Sequence, residues 1–360
     1  MIALNIPYLP DFSRYQRYLQ SMYQSKWLTN NGPMVRELTE RLEEHLGVNN
    51  LLLVANGTTA LQLCYKALSI EQQAITTPFT FIATANSLDW QGISPVFSDI
   101  NRESFNLCPT QAVKAFNAST NAMVPVHVYG NPCDVAAFEL LGKERDVKVI
   151  YDAAQAFGVK VGEQSVLSYG DASVLSFHAT KLFHTTEGGA AVFNSNDDYE
   201  RASAMINFGI DQQTGEIVSA GTNAKMSEAH AAMGLAVLDD IAFISECRLN
   251  HYALYKHLLG HQVSYPMWHP NSAQNGAYMP IVLASAAQCS AVYNALAKNN
   301  IESRRYFSPA LNNIAHLSGN NSVCDVSTDI AGRVLCLPLY VALRPAQIHK
   351  ICQVVLRALN

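Results

Sequence analysis

The chain has 360 residues, of which 49% are hydrophobic and 15% charged, with a net charge of −5. This length suggests two domains or one large α/β domain with an appendage, and the apolar, charge-poor balance excludes a disordered protein and favours a large core with a buried subunit contact. There is no Lys/Arg cluster long enough for a nucleic-acid footprint, no apolar run long enough to span a bilayer, and no basic, apolar leader at the N-terminus, which carries Pro7 and Pro10.

In chain order, a helix is predicted from Pro33, where Val35, Leu38, Leu42 and Leu46 form an apolar stripe and Gly47 ends it. Residues 51–55 (LLLVA) read as a buried strand and NGTT (56–59) as a turn and N-cap. A helix carrying Ala60, Leu61, Cys64, Ala67 and Leu68 follows. Strands are predicted at 74–78, 122–130, 147–154, 171–178 and 189–194, the last two adjacent through one turn. Strands alternating with helices imply a mostly parallel sheet covered on both faces. A long helix over 238–259 then leads to a smaller α+β unit, with strands at 277–283 and 334–340 and helices at 285–299 and 344–359. The predicted division is a large domain with an N-terminal arm over 1–240 and a small domain over 241–360.

The eight cysteines contain no CxxC pair, and several lie in apolar surroundings, as expected of buried thiols in a reducing cytoplasm. GxGxxG, Walker A and GxSxG motifs are absent. His257 and His261 are spaced i, i+4, but Gly260 intervenes and no Glu follows the first His, so no metal site is expected.

Three features point to chemistry. Asp152 follows the apolar strand VKVI and precedes the small residues Ala153 and Ala154, so its carboxylate can approach a flat ligand. Lys181 stands between a buried strand and a Glu-Gly-Gly turn, a context for an amine held out of water as a nucleophile toward carbonyls. At 56–59, Gly57 permits close backbone approach, and free N–H groups at a helix start favour a phosphate. A phosphate cradle, a carboxylate and a lysine together meet the requirements of pyridoxal phosphate: the lysine binds it covalently and the carboxylate keeps its ring nitrogen protonated.

The segments WLTNNGPMVRELTERLEEHLGV, NGTTALQL, TTPFTFIATANSLDWQGISPVFSDI, HVYGNPCD, DAAQAFG, SFHATKLFHTTEGGA, GTNAKMSEAHAAMGL and RRYF together resemble the DegT/DnrJ/EryC1/StrS family. Its members are pyridoxal-phosphate-dependent nucleotide-sugar aminotransferases of the aspartate aminotransferase fold (fold type I). The resemblance spans nearly the whole chain and is weakest over 255–275 and 308–330; Tyr151 departs from the acidic residue often found there. It implies that Lys181 is the covalent lysine and Asp152 the partner of the ring nitrogen. Gln155 would lie by the ring hydroxyl, and Phe81 and Ala154 would cover the two ring faces. Gly57, Thr58, Thr59 and Ser176 would hold the phosphate, with Asn223 reaching in from a neighbouring subunit of a homodimer. The implied reaction is ping-pong, with glutamate as amino donor, a keto-sugar as acceptor, and Lys181 moving the proton. Relatives with His at the lysine position dehydrate sugars instead. The sequence looks most like enzymes forming dTDP-4-amino-4,6-dideoxyglucose, with amination at carbon 3 of a related dTDP sugar as the alternative. Trp27, Thr29, Arg305 and Tyr306 are candidate sugar-nucleotide contacts. A non-catalytic cofactor-binding regulator is disfavoured by the presence of both Lys181 and Asp152, and a desulfurase by the lack of an activated cysteine.

Overall fold

A computed structural model describes residues 1–211, 213–320 and 323–359, without the side chains of 318–320. The first strands in chain order are β1 (Leu51–Val54), β2 (Gln73–Thr76), β3 (Ser94–Phe97), β4 (Thr120–Val124) and β5 (Lys148–Asp152). After them come a small hairpin, β6 (Lys160–Val161) and β7 (Gln164–Ser165), and then β8 (Ala172–Ser176) and β9 (Gly189–Phe193). Seven of these form one sheet in the order β1-β9-β8-β5-β4-β2-β3. Only β9 runs against its neighbours, pairing antiparallel with both β1 and β8. The strands are short apolar runs buried on both faces, as expected of a parallel sheet covered by helices.

The strand predicted over 122–130 stops at Val124. Pro125 has no N–H for the ladder, although its carbonyl still accepts from Asp152 N at 2.9 Å. The chain then turns through Val128–Gly130, where Tyr129 has φ of 59°.

A second unit pairs β10 (Met279–Val282) antiparallel with β11 (Val334–Leu337). Helices Ile241–Leu259, Ala286–Lys298 and Pro345–Leu359 pack around this pair. The long helix starts three residues later than the sequence pattern suggests, because helix Glu228–Leu238 occupies the preceding turn. The two units are joined through Asp99, a buried carboxylate just after β3. It accepts from Val326 N (2.9 Å), Ser327 N (2.9 Å) and Ser327 Oγ (2.6 Å) at the start of helix Asp325–Arg333.

The N-terminal arm belongs to both units. Ile2 bridges Ile301 and is buried in the second core, and Leu4 O accepts from Leu339 N at 3.2 Å. Helix Phe12–Ser25 lies on helix Glu228–Leu238. Arg14 and Tyr8 hold Asp240 there, and Arg41 pairs with Asp239 at 2.7 Å. Among the described residues, no helix is long and apolar enough to cross a membrane.

Candidate active site

In an open α/β sheet, ligands bind beyond the carboxyl ends of the parallel strands. The end of β1 leads to Asn56–Thr59, β5 ends on Asp152, β8 ends on Ser176, and β2 leads to Phe81 and the helix Ile82–Asp89. These residues therefore gather at one edge of the sheet.

Asp152 is only 6% exposed. Its Oδ2 accepts from Thr84 Oγ1 at 2.7 Å and its Oδ1 from Ala154 N at 3.1 Å. Thr84 has a single hydroxyl proton, which goes to the carboxylate, so at 2.9 Å Thr80 Oγ1 must donate to Thr84. Burial raises the Asp152 pKa above the usual carboxylate range; the bonds from Thr84 and Ala154 and the nearby Lys181 charge oppose that rise. Beneath Asp152, the buried His127 ring stacks on Tyr151 at 4.8 Å and accepts from Cys133 N at 3.0 Å. Burial, assisted by His269, lowers the His127 pKa to about 3, so this ring is neutral.

Lys181 sits in the loop between β8 and β9. The loop is anchored by buried Phe177 and Phe183, which pack with Phe157, the Phe157–Phe183 pair stacking at 4.8 Å. From the arm, Asn5 Nδ2 donates to Thr180 O at 2.7 Å, and His184 Nε2 donates to Tyr8 O at 2.7 Å. The loop is thus held on both sides of the lysine, whose side chain remains half-buried. Its amine donates to the Tyr278 hydroxyl at 3.4 Å.

At the β1 turn, Asn56 caps helix Gly57–Ala67 by accepting from Thr59 N at 2.8 Å and Thr59 Oγ1 at 3.0 Å. The leading N–H groups of Gly57 and Thr58 then face outward at the positive helix end. A Cβ on Gly57 would lie 3.0 Å from Ser176 Cβ, so glycine lets this turn close tightly onto β8 where a larger residue would push it back. Asn223 is exposed on a strap that follows β1: Val54 bridges Lys225 and Ala55 N donates to Ala224 O at 2.8 Å. Its neighbour Lys225 donates to Asn207 Oδ1 at 2.8 Å.

Phe81 is 51% exposed, so its ring is available to a flat ligand; one turn of chain separates it from Thr84, whose N donates to Phe81 O at 3.2 Å. Ala154 is partly exposed next to Asp152. Gln155 is buried and its Oε1 accepts from Tyr129 N at 2.8 Å, which leaves its amide N–H groups as donors.

The four candidate sugar contacts do not share one place. Trp27 (45% exposed) and Thr29 lie in the loop before helix Pro33–Leu46, with the Arg36 guanidinium 5.8 Å from the Trp27 ring centre. Tyr306 packs edge-on against Tyr278 at 5.6 Å and so stands one ring away from Lys181. Arg305 turns aside, donating to Ser290 Oγ at 2.9 Å with its guanidinium over Tyr293; it is Arg304 that covers the Tyr306 ring, at 4.8 Å.

Thr84, Tyr278 and Glu228 were not anticipated. Thr84 lies within the TFIAT stretch, but its contact depends on how the helix after β2 crosses β5. Tyr278 reaches Lys181 from the second unit. Glu228 is completely buried and receives Met34 N (2.8 Å) and Val35 N (3.1 Å), while its own N donates to Leu28 O at 3.1 Å. A Cβ on Gly32 would come within 2.6 Å of both Glu228 and Trp27.

The donor set fits pyridoxal phosphate. The Gly57 turn at a helix start would take the phosphate, Asp152 would offer a buried anion to the ring nitrogen, Gln155 a donor to the ring oxygen, and Lys181 the amine.

Comparison with known proteins agrees with this geometry. The profile of the DegT/DnrJ/EryC1/StrS aminotransferase family matches residues 12–356. A dTDP-4-amino-4,6-dideoxy-D-glucose transaminase of Shigella dysenteriae is 41% identical over 95% of both chains. One of the same name from Escherichia coli is 35% identical over 99% of this chain and 98% of its own. The crystal structure of DesI, solved in the presence of its TDP-sugar product, superimposes with a TM-score of 0.93 at 34% identity, over 98% of this chain and 92% of its own.

Proposed function

Because the chain belongs to the DegT/DnrJ/EryC1/StrS aminotransferase family, we propose that it moves an amino group from glutamate to dTDP-4-keto-6-deoxyglucose, forming dTDP-4-amino-4,6-dideoxyglucose. The enzyme is a pyridoxal-phosphate-dependent sugar aminotransferase. The observation that carries this reading is the convergence of Lys181, buried Asp152 and the Gly57 turn at one sheet edge. The choice of sugar is supported by the two similar transaminases that share this product name and by the TDP-sugar product of DesI.

When bound, the cofactor supplies the electron sink. The Gly57 and Thr58 N–H groups, Thr59 and Ser176 would hold its phosphate. Asp152 would keep the ring nitrogen protonated, with Thr84 fixing the carboxylate's orientation. Phe81 and Ala154 would cover the ring, and Gln155 would orient it. Lys181 would be the base that takes the proton from the α-carbon of the donor, and the acid that gives a proton to the sugar carbon receiving the amino group. Trp27, Thr29 and Tyr306 are the proposed sugar-nucleotide contacts; Arg305 is instead engaged by Ser290 and Tyr293. The homodimer belongs to this reading, with Asn223 reaching the partner's phosphate. It is supported by the exposure of Asn223 and of Phe208, Ile217 and Val218 in the loop preceding it. A cytoplasmic location is supported by buried thiols outside any disulfide, such as Cys64, Cys133 and Cys352.

The test is incubation of the pure protein with glutamate and a panel of dTDP- and UDP-linked 4-keto and 3-keto sugars, with products read by mass and NMR. A 4-amino dTDP sugar is expected. A 3-amino product would transfer the reading to the carbon-3 enzymes, and no amination of any member would refute it.

A further inference from the structure

We propose that Tyr278 is a positioning residue for Lys181: its hydroxyl receives the lysine amine whenever that amine is free of cofactor and holds it where the proton is moved. The inference rests on the role given to Lys181 above and adds a group that comes from the second unit.

The Lys181 amine has one hydrogen-bond partner among the described residues, the Tyr278 hydroxyl at 3.4 Å, and stands 5.9 Å from the centre of the same ring, while Asp152 acts on it only through its charge. It makes no ion pair among the described residues. The choice of partner matters. A base that must accept a proton and then return it alternates between ammonium and amine. A carboxylate would favour the ammonium alone. A phenol accepts from the ammonium and donates to the amine, so one oxygen serves both states.

Tyr278 is itself closely held. Its ring lies edge-on to Tyr306 at 5.6 Å and tilted to Tyr129 at 5.7 Å, while the Tyr129 hydroxyl donates to Tyr306 O. The preceding turn is fixed by two side chains. Buried Arg248 donates from Nε to Gly276 O and from Nη2 to Ala277 O, both at 2.8 Å. Asn275 Oδ1 accepts from Ala277 N at 3.0 Å, and its Nδ2 donates to Gln155 O at 3.0 Å. Burying a guanidinium whose hydrogen-bond partners are two carbonyls is unfavourable unless the turn it fixes is needed. The result is a closed circuit from Gln155 through Asn275 to Tyr278 and on to Lys181. The residue that orients the cofactor ring and the residue that meets the amine are therefore set by one turn.

The experiment uses Tyr278→Phe, which keeps the ring contacts and removes only the hydroxyl. In the loaded enzyme, the single-turnover half-reaction with glutamate is expected to slow on the order of tenfold, with a larger isotope effect from α-deuterated glutamate, because proton transfer has lost its alignment. The KM values for glutamate and for the keto-sugar should stay within about twofold, since neither substrate's own contacts change. A second readout needs no turnover. In the cofactor-free protein, an amine-acylating reagent followed by peptide mass analysis should label Lys181 several-fold faster in Tyr278→Phe, with Lys160 and Lys225 labelled as in the wild type. An unchanged half-reaction or unchanged labelling of Lys181 overturns the proposal. If Lys181→Ala keeps the wild-type half-reaction, the fault lies with the role of Lys181 itself, and Tyr278 loses its function with it.

Discussion

Thr84 gives its hydroxyl proton to Asp152 Oδ2 at 2.7 Å and takes the proton of Thr80 in return. The residue one turn beyond the exposed Phe81 ring thus fixes the acid expected to meet the same cofactor from its edge. A hydrogen bond to a charged group contributes about 1.5–3 kcal/mol. Thr84→Val, which keeps the shape of the side chain, is expected to lower kcat on the order of tenfold in both half-reactions without releasing the cofactor. Stopped-flow rates with each substrate check this, and an effect on one half-reaction alone would place Thr84 on a substrate instead.

Asp152→Asn is expected to lose on the order of 100-fold or more in turnover, as for other large electrostatic terms. The cofactor-free protein should show the opposite trend in stability. Burial raises the Asp152 pKa from 3.8, so the folded state binds this proton more tightly than the unfolded state. That contribution is fully present below pH ~4 and is lost as pH rises through the raised value. Asparagine does not ionise. The Tm of cofactor-free Asp152→Asn minus that of the wild type should therefore grow from pH 4 towards pH 7. A difference independent of pH would mean that Asp152 is not desolvated as described.

Glu228 ties the loop carrying Trp27 and Thr29 to the helix start at Met34 and Val35. In Glu228→Gln one oxygen still accepts, but an amide N–H faces a backbone N–H. The KM for the nucleotide sugar is expected to rise on the order of tenfold through loss of a charged, buried bond. The glutamate half-reaction should stay within about twofold. Equal damage to both half-reactions would show that the loop serves the fold rather than the sugar.

The shared site is tested by mixing two inactive variants, Lys181→Ala and Asn223→Asp, the second chosen so that like charge repels the phosphate. If Asn223 acts across the interface, half the sites of a mixed dimer combine an intact lysine with an intact asparagine, and activity partly returns after subunit exchange. Exchange confirmed by mass without any return of activity would place Asn223 in its own chain's site or in none.

Much of the site could be read because its residues stand at ends of apolar strands, where hydrophobicity stops abruptly and a polar residue has few structural reasons to be. Asp152 after VKVI and Asn56 after LLLVA are of this kind, whereas Ser176 lies inside the strand predicted over 171–178 and is marked only by the family resemblance. The Pro33 helix, with its stripe and Gly47 stop, ends exactly where the periodicity does, at Leu46. The over-long strand at 122–130 was misjudged because apolar content outweighed Pro125. Thr84 and Tyr278 escaped notice for another reason. Their roles come from one element crossing another, and nothing local distinguishes them from other threonines and tyrosines. The direction of Arg305 is equally non-local, being set by Ser290 and Tyr293 on a neighbouring helix.

The clamp on the lysine loop also couples stretches of chain that lie far apart in sequence. Asn5 and the Tyr8 carbonyl hold Thr180 and His184, yet the arm that carries them is seated by Ile301 and Leu339. A chain with the sheet but without these two seats has no anchored arm to close the loop. Disturbing the seat at Ile301 or Leu339 should therefore loosen a lysine more than a hundred residues upstream.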